Sequence, residues 1–244
     1  MTLGPYQTPL ALVREPLMAF FWVMLAPPLF LTGAALVALQ FIPEFDPGTP
    51  DEIAAYHVLW LMSCCGMAAW FGLMSLWSNH IGAGAFAGRM QTEPRWLITG
   101  LVAGPMILIV PTIIVSSFMT EPGWQYNSDV NEEIFAPQNW SLAYLFVAVI
   151  MAPVVEEVAF RGVALGAIVA RGFSPVAAVT ISSLAFAFSH MQYSPAAMFV
   201  VFLSGIGFAV LRLLSGTVLV PIVAHMAANA NVLFLSWVAA NPPT

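Results

Sequence analysis

The stretch VVEEVAFRGVALG, residues 154–166, sets two adjacent glutamates and an arginine inside an otherwise apolar run. Glu157 and Arg161 are four apart, so on a helix they share a face and can pair. Glu156 and Arg161 are five apart, roughly 140° around the helix, where pairing is harder. Glu156 therefore needs partners from other segments, or water. Two later stretches offer them: FAFSHMQY, with Phe186 and His190, and VPIVAHMAANANVLF, with His225 and Asn229 four apart on one helical face. A glutamate and a histidine in a partly dry site can bracket a water and remove its proton. A second histidine and an asparagine amide can donate to an oxyanion developing on a carbonyl. The chemistry this predicts is amide hydrolysis by activated water, with no serine or cysteine nucleophile.

The elements that must position these residues are helices in lipid. The chain of 244 residues is 60% hydrophobic and 7% charged, with a mean hydropathy of +0.88. Soluble domains carry about a quarter charged residues. The fold class expected is all-α, a polytopic bundle of about seven transmembrane helices forming a single membrane domain over 1–244. Apolar runs of about 20 residues place spans near 17–42, 55–78, 96–119, 140–170, 175–190, 196–213 and 217–239. The fourth is longer than a bilayer needs, so it must tilt, break or project. The first begins after Arg14-Glu15-Pro16 and is too long for a signal-peptide core, which predicts an uncleaved helix.

Counting helical rise from the turns between spans puts the polar residues at similar heights. Glu156 lies about 16 residues before a turn near 172–173 and His190 about 17 after it; Asn229 and His225 lie about 14 and 10 residues past a turn near 214–215. Residues from three helices can thus meet in one layer. Arginine placement predicts orientation. Arg14, Arg89, Arg95, Arg171 and Arg212 fall on one side, taken as cytoplasmic. Loops 43–54 and 120–139 carry acidic residues and no arginine. This puts the N-terminus in the cytoplasm and, with seven spans, the C-terminus on the opposite side.

Several groups carry no signal of their own. Cys64 and Cys65 are adjacent, about 100° apart on a helix, and a disulfide between them is not expected. His57 and His80 read as interfacial. The net charge of −6 with no basic cluster gives no reason to expect a nucleic-acid partner.

The three polar stretches together resemble the type II CAAX prenyl endopeptidase family, also called the CPBP or Abi family of intramembrane proteases. The matching pieces are EEVAFR at 156–161, FAFSH at 186–190 and HMAAN at 225–229, in order and in spacing. The resemblance covers about 140–235, a CPBP/Abi-like catalytic core; residues 1–139 match only as generic membrane helices. It implies that Glu156 and His190 activate the water, that His225 and Asn229 stabilise the oxyanion, and that Glu157 and Arg161 form a supporting pair. The implied substrate is a membrane-embedded or lipidated peptide. Eukaryotic members remove the last three residues of prenylated CAAX proteins, whereas some bacterial relatives are linked to bacteriocin self-immunity, surface-protein display or peptide-signal processing. The short chain leans towards a bacterial plasma membrane.

Zinc is the alternative to a cofactor-free site. Two histidines and a carboxylate can hold it with one position open for water, which would make Glu156, His190 and His225 its ligands. HExxH is absent, and Asn229 beside His225 suits hydrogen bonding better, so the resemblance favours a glutamate mechanism with no cofactor. Two other functions fit a buried polar layer: a non-catalytic membrane scaffold or bacteriocin-immunity-type protein, and a proton-coupled transporter. A scaffold has no need of a carboxylate without a local partner, and a transporter is expected to show repeats or paired broken helices that this chain lacks.

Overall fold

A computed structural model describes residues 26–38, 92–118, 142–170, 172–191 and 193–241, with some positions of 58–76. Among the described residues every regular element is helical. They are α1 (Ala26–Ala38), α2 (Pro94–Phe118), α3 (142–170), α4 (Pro175–Phe188), α5 (Pro195–Ser215) and α6 (Leu219–Ala240). The described positions of 58–76 are helical too. Helices α2, α5 and α6 are long and apolar enough to cross a membrane. The expected spans at 17–42 and 55–78 lie partly outside the described residues. Loops 43–54 and 120–139, with Arg14, His57, His80, Arg89 and Arg171, lie wholly outside them.

The long fourth run is one helix with two π-helical stretches. It is α-helical at Leu142–Phe146, π-helical at Val147–Met151, α-helical at Ala152–Glu157, π-helical at Val158–Ala164 and α-helical at Leu165–Ala170. Such π segments are rare and favour functional sites. The first precedes Pro153. The i+5 pattern, seen where Ala152 N–H donates to Val147 O, would require the residue-153 N–H to serve Ala148 O, and proline has none.

Helix starts and stops follow local chemistry. Ser174 and Ser194 each precede a proline at the first helical position, and their hydroxyls accept from the N–H groups of Ala177 and Ala197 at 3.2 and 3.3 Å. This is N-capping, with proline where its missing N–H costs nothing. Gly172 (φ 83°) turns the chain between α3 and α4, and Gly216 (φ 71°) between α5 and α6, a conformation that suits glycine.

The packing is tightest between α2 and α6. A Cβ on Gly100 would lie 2.9 Å from Val220 O, and one on Gly104 would overlap the Ala224 carbonyl. Gly100 meets Val220 and Gly104 meets Ala224, so the two helices run parallel with backbones in contact. Small residues at such crossings replace the hydrophobic drive that lipid does not supply. The parallel pairing sets Arg95, at the start of α2, at the same end of the bundle as Arg212, just before α6. The opposite face of α2 exposes Ile98, Leu101, Val102, Met106 and Ile113, as a lipid-facing wall would.

Proline also shapes α2. Pro111 cannot donate to Ile107 O, four residues back. The hydroxyl of Ser204, on α5, donates to that carbonyl at 3.1 Å. A backbone acceptor freed in an apolar medium is satisfied from a neighbouring helix.

Candidate active site

Glu157 and Arg161 pair as the spacing predicts. Arg161 Nη1 donates to Glu157 Oε1 at 3.0 Å, and both side chains are fully buried. The other guanidinium nitrogen, Nη2, donates to Gly205 O of α5 at 3.0 Å. The guanidinium carbon stands 4.3 Å from the Phe186 ring centroid and 5.5 Å from that of Phe208. Burying these charges requires pairing and hydrogen bonds of this kind.

Glu157 has a second partner. His225 Nδ1, on α6, lies 2.9 Å from the same Oε1. Paired with a guanidinium, the carboxylate only accepts, so Nδ1 is the donor and carries the hydrogen. The imidazole stacks on Phe208, centroids 4.7 Å apart at 18°, and meets the edge of Phe186 at 5.9 Å. Its Nε2 then faces Glu156, 3.8 Å from Oε2.

Glu156 differs from its neighbour. Its side chain keeps 23% of its exposure, against none for Glu157, and it lines a cavity of about 380 Å³. His190 lines the same cavity from the turn that follows α4. Its Nδ1 lies 2.9 Å from Phe186 O, with Ser189 Oγ at 3.1 Å. A carbonyl only accepts, so Nδ1 donates, and in the neutral ring Nε2 bears the lone pair.

Asn229 reaches the cavity from α6, one turn beyond His225. Its Nδ2 donates to Ala148 O at 2.8 Å, the carbonyl that Pro153 cannot serve. An amide nitrogen carries two hydrogens, so one remains for the cavity. The structure thus brings Glu156, His190, His225 and Asn229 to one cavity and sets Glu157 and Arg161 beneath it.

Sequence reasoning missed other contributors. Tyr144 and Tyr193 also line the cavity, and Tyr193 lies against His190 with centroids 5.5 Å apart. Phe208 is the platform under His225. Its only sequence signal is its place in LSGIGFAV, where Gly205 and Gly207 let α5 approach its neighbours. A Cβ on Gly205 would lie 3.3 Å from Arg161 Nη2, and one on Gly207 2.8 Å from Ile107. Cys64 and Cys65 are both free.

The metal alternative can be tested against this donor set. Anchoring Nδ1 of each histidine is what a metal site would also need. Yet among the described residues no three His, Cys, Asp or Glu side chains are placed to hold an ion. Glu156, His190 and His225 all line the cavity.

Among the described residues, all helical in their regular elements, a carboxylate, two histidines and an amide line one cavity. Residues 138–231 match the family described as type II CAAX prenyl endopeptidase, Rce1-like. The segment carrying the site is similar to that peptidase family, and its long apolar helices are those of an integral membrane protein. No curated protein and no solved structure matches the chain.

Proposed function

We propose that the chain is an intramembrane endopeptidase in which Glu156 and His190 activate a water for attack on a peptide carbonyl. The Glu156 carboxylate takes one proton of the water as its oxygen bonds to the carbonyl carbon, while His190 Nε2 accepts a hydrogen bond from the other hydrogen and orients the attack. The oxyanion that forms accepts hydrogen bonds from Asn229 Nδ2 and His225 Nε2. In that role His225 carries hydrogens on both nitrogens, its charge balanced by Glu157 and the oxyanion itself. Collapse breaks the C–N bond, and the stored proton passes to the leaving amine.

The observation that carries this reading is the pairing of two differently set histidines around Glu156. One is anchored on a backbone carbonyl and the other on a buried carboxylate. A scaffold needs neither arrangement. The substrate class is a membrane-embedded or lipidated peptide, entering a cavity whose walls include Leu108, Val147, Val201 and Val232. We place the helices in a seven-span bundle of a bacterial plasma membrane, N-terminus cytoplasmic and C-terminus opposite. The parallel α2 and α6, with Arg95 and Arg212 at one end, support that topology.

The test is purified protein in detergent with prenylated and membrane-spanning peptides, products being read by mass spectrometry. Cleavage at a defined bond, surviving exhaustive chelation with much less than one metal per chain, is the expected result. No cleavage of either peptide class overturns the peptidase reading. Stoichiometric zinc whose removal abolishes cleavage overturns the metal-free mechanism and makes Glu156, His190 and His225 ligands.

A further inference from the structure

We propose that Glu157 is the positioning residue of His225, and that Arg161 serves to fix Glu157; the kinetic arm of this proposal rests on the peptidase reading above. An ion pair that only joined helices would end at Arg161. Here the chain of contacts continues. Gly205 O holds Arg161 Nη2 at 3.0 Å, Arg161 Nη1 holds Glu157 Oε1 at 3.0 Å, and that same oxygen holds His225 Nδ1 at 2.9 Å. Three helices, α5, α3 and α6, are thereby tied to one imidazole.

The ring has little freedom left. The Phe208 face lies on one side, centroids 4.7 Å apart, and the Phe186 edge meets it at 5.9 Å and 89°. Both rings are in turn packed on the Arg161 guanidinium. With Nδ1 fixed as a donor, only Nε2 faces the cavity and Glu156. Without Glu157, the Nδ1 hydrogen of the doubly protonated ring loses its acceptor and its counter-charge, and the ring is free to rotate. The adjacent glutamates therefore divide the work. Glu156 faces the substrate, and Glu157 sets the nitrogen that His225 presents.

The test uses paired substitutions so that no buried charge is orphaned. Glu157→Met with Arg161→Met removes the acceptor and the pair together; replacing a buried pair by apolar groups of similar size is often neutral for stability. Glu157→Gln with Arg161→Met removes the charge but keeps an oxygen that can accept from Nδ1. The Met/Met form is expected to keep a near-normal melting temperature and KM while kcat falls about 10- to 100-fold, as when a ligand's hydrogen-bonding partner is lost. The Gln/Met form recovers part of that loss. With ¹⁵N-labelled histidine, His225 Nδ1 reads as protonated in the wild type and loses that fixed signature in Met/Met.

Wild-type kcat in a folded Met/Met form, or an unchanged His225 signature there, reduces Glu157 to a structural staple. Should both paired variants fail to fold, the wild-type spectrum alone decides. A bare His225 Nδ1 overturns the proposal, and a protonated one supports it. Should the wild type cleave nothing, the peptidase reading fails, and the nitrogen spectra still test the positioning.

Discussion

Helix α6 presents two faces that hold the bundle together in opposite ways. Val220 and Ala224 lie against Gly100 and Gly104 of α2 with backbones in contact. One residue further on, His225 and Asn229 repeat the same four-residue spacing with polar groups, bonded to Glu157 and to Ala148 O. Lipid offers apolar helices no hydrophobic reason to associate, so a seam must use close approach or hydrogen bonds. The glycine seam uses the first and the histidine face the second. Close approach leaves nothing to react. The polar face gives up some packing, and the space it leaves is the cavity. Substitutions on the cavity side should then change rate more than stability, and those on the seam the reverse.

The largest expected effect belongs to Glu156→Gln. The shape is kept and the base is lost, which typically costs about 10²–10⁴-fold in rate. The side chain is partly exposed to the cavity, so the melting temperature should stay near that of the wild type. A variant that cleaves at the normal rate breaks the assignment of the base. One that unfolds breaks the contrast between the two faces.

Asn229→Ala sharpens the comparison, because in the proposed mechanism this residue serves both purposes. Loss of an oxyanion donor is worth about 2.7–4 kcal/mol of transition-state binding. Loss of a hydrogen bond between membrane helices averages about 0.6 kcal/mol. A steep fall in kcat with a small fall in melting temperature is expected, with KM little changed. Equal losses in both would mean that the bond to Ala148 O is all that Asn229 supplies.

Much of this was legible in the sequence. Apolar runs place α2, α5 and α6 within about two residues of their observed ends, since a lipid-facing helix must be continuous in its own hydrogen bonds. The Ser-Pro starts of α4 and α5 are written in local residues. Glu156, His190, His225 and Asn229 reach one cavity because equal helical rise from short turns sets equal heights. Orientation about each helix axis is another matter. The bond from Glu157 to His225 depends on the rotation of two helices and on a pitch change at 158–164, and no spacing rule yields it. The first π segment could be suspected from Pro153, but its remedy lies 76 residues away at Asn229. Phe208 was invisible because a phenylalanine in an apolar run looks like any other. His190 was expected near the end of a span and sits just past the end of α4, in the turn.

On the seam the test is Gly104→Ala. The added methyl meets the Ala224 backbone, and backbone cannot rotate away. Overpacking of this kind costs about 1–3 kcal/mol. Thermal unfolding in detergent should show the loss, while kcat per folded molecule stays unchanged. A fall in kcat with normal stability would mean that the two faces of α6 are mechanically linked.

The smallest effect is the most diagnostic of how proline is accommodated. Ser204 is buried, and its hydroxyl donates to Ile107 O, the acceptor that Pro111 leaves without a backbone donor. Ser204→Ala should cost about 0.6 kcal/mol, the usual scale for such a bond in a membrane protein. Pro111→Ala gives residue 111 an N–H directed at the same carbonyl. In that background Ser204→Ala should cost almost nothing, because the acceptor is already served. The coupling, read by a double-mutant cycle of unfolding free energies, isolates the one bond. An unchanged cost in both backgrounds would show that the serine acts through packing against α2. The hydrogen-bonded and close-packed contacts between α5 and α2 would then be of one kind.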